Sequence, residues 1–316
     1  MVNGILNVYK EAGWTSNDVV SKLKGIVGQR KIGHTGTLDP DAEGVLPVCL
    51  GKATKLCGYL TDERKTYEAV LLLGVTTDTQ DASGTVLSRS GRENLPDERT
   101  IWTVMEGFLG KQMQIPPMYS ARKVGGQRLY DLARQGVTVE REARPVCFYE
   151  IAIQSVDLPR VRFSVTCSRG TYIRTLCNDI GSRLGCGGCM EYLLRTQVGP
   201  FSLSDALKIA QLQELRDTGR LADAILPIDR MYADLPAFRT DTRQDAAAHN
   251  GNAVTRKDLT ADEKNMAGHP SPDHCCPERI RLYDSENRFV GIFAAISGTG
   301  QFRPEQMYYD PDPTGM

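Results

Sequence analysis

Apolar and polar positions along this chain switch between a helical and a strand period, and the switches mark its elements. A short apolar run at residues 5–9 is followed by Thr15-Ser16, which can cap a helix carrying Val19, Val20, Leu23, Ile26 and Val27 at helical spacing. Residues 66–74 alternate as a strand, with Tyr67, Ala69, Leu71 and Leu73 on one face, and a turn at 78–84 closes it. Ile101, Val104, Met105, Phe108 and Leu109 form one face of a helix begun by Pro96-Asp97. Residues 147–156 and 161–167 read as strands. Ser168-Arg169-Gly170 then turns the chain into a helix beginning near Thr171, with Ile173, Leu176, Cys177, Ile180 and Leu184 inward. A strand, a glycine turn and a helix N-terminus with two arginines form a place suited to an anion. Another amphipathic helix spans 204–215.

Leu226-Pro227 marks a boundary in this pattern. Beyond it, short strand-like runs at 280–283 and 289–295 alternate with turn-rich and acidic stretches, which predicts a small, mostly β module. The length of 316 residues suits two domains, placed at 1–228 and 229–316. One stretch has no clear period: residues 30–55, RKIGHTGTLDPDAEGVLPVCLGKATK, hold a histidine, two aspartates, a glutamate, four glycines and two prolines. Such a segment is a surface loop or an active site.

Composition narrows the class. Charged residues make up 24% and hydrophobic residues 41%, and no apolar run approaches the roughly 18 residues of a membrane span. The N-terminus MVNGILNVYKEAG lacks the pattern of a secretory signal, so a cytoplasmic protein is expected. Nine cysteines in no even framework fit reduced thiols. Cys186-Gly-Gly-Cys189 and the His274-Cys275-Cys276 run lack a second pair at metal spacing, so no metal site is expected.

The net charge of −1 is unevenly spread. Residues 115–145 carry Arg122, Lys123, Arg128, Arg134, Arg141 and Arg144 against three acidic residues, and residues 160–195 carry six arginines against Asp179 and Glu191. Basic segments in a neutral protein are what a local polyanion-binding face, or an ordinary solvated one, looks like.

No G-x-S-x-G elbow and no P-loop is present, which leaves a carboxylate as the candidate nucleophile of the 30–55 stretch. An aspartate is ionised at neutral pH and can attack an electrophilic carbon without an activating base. The same Asp39-Pro40-Asp41 is equally a good turn, so composition alone leaves the matter open.

The segment GHTGTLDPDAEGVLPVCLGKATK resembles the signature of the bacterial tRNA pseudouridine-55 synthases, the B-type pseudouridine synthase family. KEAGWTSNDVV at 10–20, KTYEAVLLLGVTTDTQDASG at 65–84, QIPPMYSARKVGGQRLYDLARQG at 114–136 and CSRGTYIRTLCNDIGSRLG at 167–185 resemble its other motifs, in the same order. The likeness spans residues 4–228. It implies an α+β fold with a mixed, largely antiparallel sheet, flanking helices and a small C-terminal PUA-like β module. It also implies an isomerase that converts a T-loop uridine of tRNA to pseudouridine without a cofactor.

Carried over motif by motif, Asp39 is the catalytic nucleophile and Arg174 its ion-pair partner. His34 displaces the target nucleotide, and Tyr67 stacks on the uracil and serves its chemistry. Lys55, Tyr172 and Leu193 complete the substrate site, and Arg122, Lys123, Arg128 and Arg134 in the 114–145 segment grip the T arm. Two departures stand out. Lys10-Glu11 replaces the usual Lys-Pro, and Leu194 replaces an arginine in Tyr-Leu-Arg-Arg, which loses a phosphate contact. The acidic stretch at 258–278 is also unlike an RNA-binding face. Two other readings compete: a tRNA-binding chaperone without catalysis, and a pseudouridine synthase acting on another RNA. No protein partner is implied, and a monomer is expected.

Overall fold

The computed structural model describes residues 1–120, 122–137, 139–261 and 277–311. Its centre is an 11-stranded sheet. From edge to edge the spine runs Leu207–Lys208, Gly4–Lys10, Glu43–Leu50, Gly188–Val198, Lys65–Leu73, Arg160–Cys167, Arg144–Asp157 and Gly110–Gln114. Neighbours are antiparallel except where Gly4–Lys10 meets Leu207–Lys208 and where Glu43–Leu50 meets Gly188–Val198. The fold is therefore α+β with a mixed, largely antiparallel sheet, as the resemblance implies.

The strands at 4–10, 65–73, 144–157 and 160–167 lie close to where periodicity placed them. The aperiodic stretch holds a surprise: Glu43–Leu50 is a strand at the heart of the sheet, buried at every position after its first residue. Leu46, Val48 and Leu50 face a cluster with Val19, Leu23 and Ile26, while Val45 and Cys49 face a second cluster on the opposite side. A strand buried on both faces has no polar side and hence no alternation to read. Its neighbour Gly188–Val198 escaped notice for a different reason: a buried arginine stands among its inward positions Leu193, Arg195 and Val198, and two register shifts break its alternation.

Helix Ser16–Val27 starts at Thr15, whose side chain accepts from the Asp18 amide while Asp18 returns the bond to Thr15. Helices Glu98–Glu106 and Ile173–Arg183 share a core with strands 65–73, 144–157 and 160–167. No helix among the described residues is long and apolar enough to cross a membrane.

The C-terminal module is a six-stranded sheet with its own core of Phe238, Ile280, Leu282, Val290, Phe293 and Phe302. It is not merely tethered. Ile292 and Tyr308 are buried with Ile5, Val45, Cys49, Leu56 and Phe201, so the module completes one face of the central sheet. Asn3 donates to Asp310 at 2.6 Å, and Lys52 bonds the Tyr309 carbonyl. Deleting 229–316 strips this cluster, and each large apolar side chain left in water costs about 1.5–3 kcal/mol. The 1–228 fragment is expected to melt well below the intact protein or to be insoluble. Equal midpoints in a thermal melt would mean that the module is only an appendage.

Candidate active site

Three backbone restraints set the Asp39 turn. Ser16 Oγ accepts from the Leu38 amide at 2.9 Å, the Lys10 ammonium donates to the Pro40 carbonyl at 2.9 Å, and the Ala42 amide donates to the Asp39 carbonyl at 3.2 Å. Lys10 is fully buried, and this desolvation pulls its pKa down to about 8, against the nearby charge of Asp39 and Asp41. The Asp-Pro-Asp segment is thus a turn held by Ser16, Lys10 and its own backbone. Asp41, the other candidate carboxylate, points to solvent.

Arg174, the second residue of helix Ile173–Arg183, closes over Asp39. Its Nε lies 3.0 Å from Asp39 Oδ2 and its Nη2 3.3 Å from Oδ1, a two-point contact. The guanidinium keeps only 5% of its surface exposed and its remaining donors are used as well: Nη2 to the Tyr119 carbonyl at 2.8 Å, Nη1 to the Thr79 carbonyl at 3.3 Å and to Asp81 at 3.4 Å. The anion held at this helix start is therefore the protein's own carboxylate. Asp39 keeps 39% of its side chain exposed, so it can be reached from solvent. Desolvation pushes its carboxyl above the ordinary value; Arg174 opposes the rise and Asp81 adds to it. Such a carboxylate is more basic than one in water.

Behind Asp39 lies Tyr67, 6% exposed, in a cluster with Leu38, Ala42 and Leu193. Tyr67 and Arg195 are partners across the paired strands 65–73 and 188–198. Burial pushes the Tyr67 phenol up to about 12, and the nearby charge of Arg195 pulls it back. Arg195 donates to the carbonyls of Val45 at 2.7 Å and Gly36 at 3.1 Å. No carboxylate pairs with it among the described residues, so backbone oxygens offset its burial. Gly44 makes room: a Cβ at its φ of +106° would sit 2.2 Å from the Arg195 carbonyl.

His34 ends strand Ile32–His34, and its Nδ1 accepts from the Gly36 amide at 3.3 Å. Burial, with Arg195 nearby, pushes its pKa below the usual value, so the ring is neutral at neutral pH with its proton on Nε2. Tyr172 precedes the Arg174 helix as its N-cap.

The structure thus assembles Asp39, Arg174, Tyr67 and Leu193, with His34 beside Arg195 and Tyr172 at the helix start. Lys55 lies elsewhere: its ammonium donates to the Met307 carbonyl at 2.8 Å, on the C-terminal module. Arg134 sits over the Tyr130 ring at 5.5 Å. Lys123 and Arg128 face each other across a two-stranded hairpin, and their side chains lie outside the described residues. So do residues 262–276, with most of the acidic stretch and His274, Cys275 and Cys276.

Five of the six 160–195 arginines are engaged within the fold, and Arg162 is exposed. Arg160 pairs with Glu191, Arg169 with Asp62, Arg174 with Asp39, and Arg183 covers Phe108. Sequence reasoning missed Arg195, Asp81 and Lys10. Asp81 was hidden in a turn, where it accepts from Thr79 and Ser83 as well as from Arg174. The Tyr-Leu-Leu-Arg run, noted only for what Leu194 lacks, was the one signal for Arg195. Cys186 and Cys189 are core residues, and among the described residues no three metal-ligating side chains come together.

A mixed sheet that sets a carboxylate against a buried arginine beside a buried tyrosine is the arrangement that the resemblance to the pseudouridine synthases implies. Residues 24–173 match the TruB family pseudouridylate synthase N-terminal domain, and 174–233 the tRNA pseudouridylate synthase B C-terminal domain; the chain belongs to this family. The two segments meet in the first turn of the Arg174 helix, so both build one site.

Proteins named tRNA pseudouridine synthase B are similar along nearly the whole chain. That of Lachnoclostridium phytofermentans is 45% identical, covering 97% of this chain and 100% of its own. That of Dehalococcoides mccartyi is 39% identical, covering 99% and 98%. Among solved structures, an H/ACA RNP bound to a substrate RNA containing 2′-deoxyuridine contains a chain with TM-score 0.67 and 25% identity, covering 98% of this chain and 86% of that one. The protein is an isomerase that makes pseudouridine in tRNA.

Proposed function

We propose that this enzyme isomerises the T-loop uridine at position 55 of tRNA, with Asp39 as the nucleophile. The observation that carries the reading is the two-point contact of Arg174 with a reachable Asp39, 3.0 Å at its shorter arm, beside the buried Tyr67 ring. Uracil must leave C1′, turn, and rejoin through C5, from which a proton departs; product and substrate are isomers, so no co-reactant is consumed. A uridine in a folded loop has to be unstacked first, and the Tyr67 face repays part of a cost of a few kcal/mol. His34, neutral and partly buried, suits the space that the extruded nucleotide vacates. Leu193 lines the pocket, and Tyr172 flanks it.

A clamp that only folds tRNA has no use for a carboxylate set against a buried guanidinium. The test is to incubate the protein with an unmodified tRNA transcript and map pseudouridine. Modification at position 55 alone is expected; modification elsewhere, or none, would sink the reading.

The 114–145 segment is the proposed grip on the T arm, through Arg122, Lys123, Arg128 and Arg134, by a monomer. Replacing Arg128 and Arg134 together is expected to weaken binding and to reduce the slope of log affinity against log salt by about one for each lost phosphate contact. An unchanged slope would make the segment a solvated face.

A further inference from the structure

Helix Ile173–Arg183 begins without a side-chain cap of its own. A residue 58 positions away supplies the restraint. Gln114, the last residue of the edge strand Gly110–Gln114, accepts from the Tyr172 amide at 2.8 Å and donates to the Tyr172 carbonyl at 3.0 Å. The Tyr172 carbonyl also accepts the helix's first bond, from the Leu176 amide at 3.1 Å. Gln114 is 4% exposed and engages both the oxygen and the nitrogen of its side-chain amide with one residue.

The chain then leaves Gln114 through Ile115-Pro116-Pro117-Met118 and returns at Tyr119, whose carbonyl takes the Arg174 Nη2 at 2.8 Å. Arg141, at the far end of the same segment, donates to the Pro116 carbonyl at 3.0 Å. The two prolines fix the backbone between these anchors. One short stretch of chain therefore holds the start of the helix at Tyr172 and the guanidinium two residues later.

We propose that Gln114 is a positioning residue for isomerisation: by holding the backbone of Tyr172 from the edge strand, it sets the helix turn that aims Arg174 at Asp39. It touches neither Asp39 nor the base; its effect passes through Arg174. The inference rests on the proposed roles of Asp39 and Arg174. The charges facing Asp39 are Arg174, Asp81, Lys10 and Asp41, and Arg174 is the one that Gln114 sets. If Arg174 drifts, desolvation and Asp81 raise the Asp39 carboxyl further, and the acid side of the rate profile moves to higher pH.

Gln114→Met keeps the length of the side chain and removes both bonds. Single-turnover rates at saturating enzyme, followed across pH on an unmodified tRNA transcript, read the result. We expect Gln114→Met to bind tRNA as the wild type does and to turn over about 10- to 100-fold more slowly, the scale of a misplacement near 1 Å. Its acid limb should lie roughly half to one pH unit higher, part of the 1 to 3 units that an adjacent opposite charge commands. Met113→Ala, on the exposed side of the same strand, should leave both rate and limb unchanged.

Should Gln114→Met fail to fold, Gln114→Glu, which keeps the acceptor for the Tyr172 amide and loses the donor, should move the limb in the same direction. A folded Gln114 variant with slowed turnover and an unmoved limb, or one impaired only in tRNA binding, overturns the inference and makes Gln114 a structural strand end. Turnover retained in Asp39→Asn, or a wild-type profile with no acid limb, is a different failure: it removes the reading of Asp39 on which the inference stands.

Discussion

Asp39→Asn is expected to stop isomerisation while leaving tRNA binding nearly intact. The substitution keeps the shape of the side chain and removes its charge, so Arg174 loses its nearest carboxylate but retains Asp81 and the carbonyls of Thr79 and Tyr119. Loss of a group that makes a covalent intermediate costs on the order of 10⁴ to 10⁶ in rate. Phosphate contacts supply most of the affinity and lie elsewhere, so the dissociation constant should move by no more than about threefold.

Stability should change in the opposite sense from activity. Because burial raises the Asp39 carboxyl in the fold, the folded state favours its protonated form. That contribution is present below the ordinary carboxylate pKa and is lost as pH rises through the folded one. A neutral asparagine mimics the protonated acid, so the mutant should melt at or above the wild-type midpoint at neutral pH. Two measurements decide the case: single-turnover pseudouridine formation and a thermal melt. Retained turnover would remove Asp39 from its role. A melt well below the wild type would mean that the Asp39–Arg174 contact is a structural brace.

The second large effect is at Tyr67, where two substitutions separate a stacking face from a hydroxyl. Tyr67→Phe keeps the ring and should bind tRNA normally. Tyr67→Leu loses a face worth roughly 1 to 3 kcal/mol for a stacked base and should bind more weakly. We expect Tyr67→Phe to be slow as well, by about 10² to 10⁴, the usual worth of a positioned proton-transfer group. A phenol raised to about 12 rests protonated at neutral pH, so in this role it would give its own proton to N1 of the detached uracil and then take the one that leaves C5, ending as it began. Arg195, whose charge lies near that phenol, is placed to offset the negative charge it carries in between. His34, the imidazole beside Arg195, is committed through Nδ1 to the Gly36 amide. Single-turnover rates at saturating enzyme remove binding from the comparison. Wild-type speed in Tyr67→Phe would leave stacking as the only role of the residue.

What could be read in the chain depended on how far apart the interacting groups lie. The capped helix at 16–27 and the alternating strand at 65–73 were legible because their signals fall within one turn or one pleat: Thr15 with Asp18, Tyr67 with Ala69 and Leu71. Asp39, Arg174 and Tyr67 were legible only because several motifs in order resemble a known family, since Asp-Pro-Asp on its own is an ordinary turn.

By itself, then, the sequence determined the local elements with one polar face, the change of texture near residue 228 and, through the family resemblance, the residues of the candidate site. Tertiary structure decided which strands stand at the centre. Glu43–Leu50 is covered on both faces, which erases the period that would reveal a strand, and in Gly188–Val198 the buried Arg195 and two register shifts break it. It also decided how the site is held. Gln114 restrains a helix start 58 residues away, and Arg195 bonds the Val45 carbonyl across 150. Their partners there are backbone atoms, which every residue carries, so nothing in the one-dimensional chain marks the pairing. Lys55 is the converse: it sits inside a recognised motif, yet the packing of the C-terminal module gives it the Met307 carbonyl as a partner. A side chain's chemistry is written in the sequence, whereas its neighbour is fixed only when the chain closes around the core.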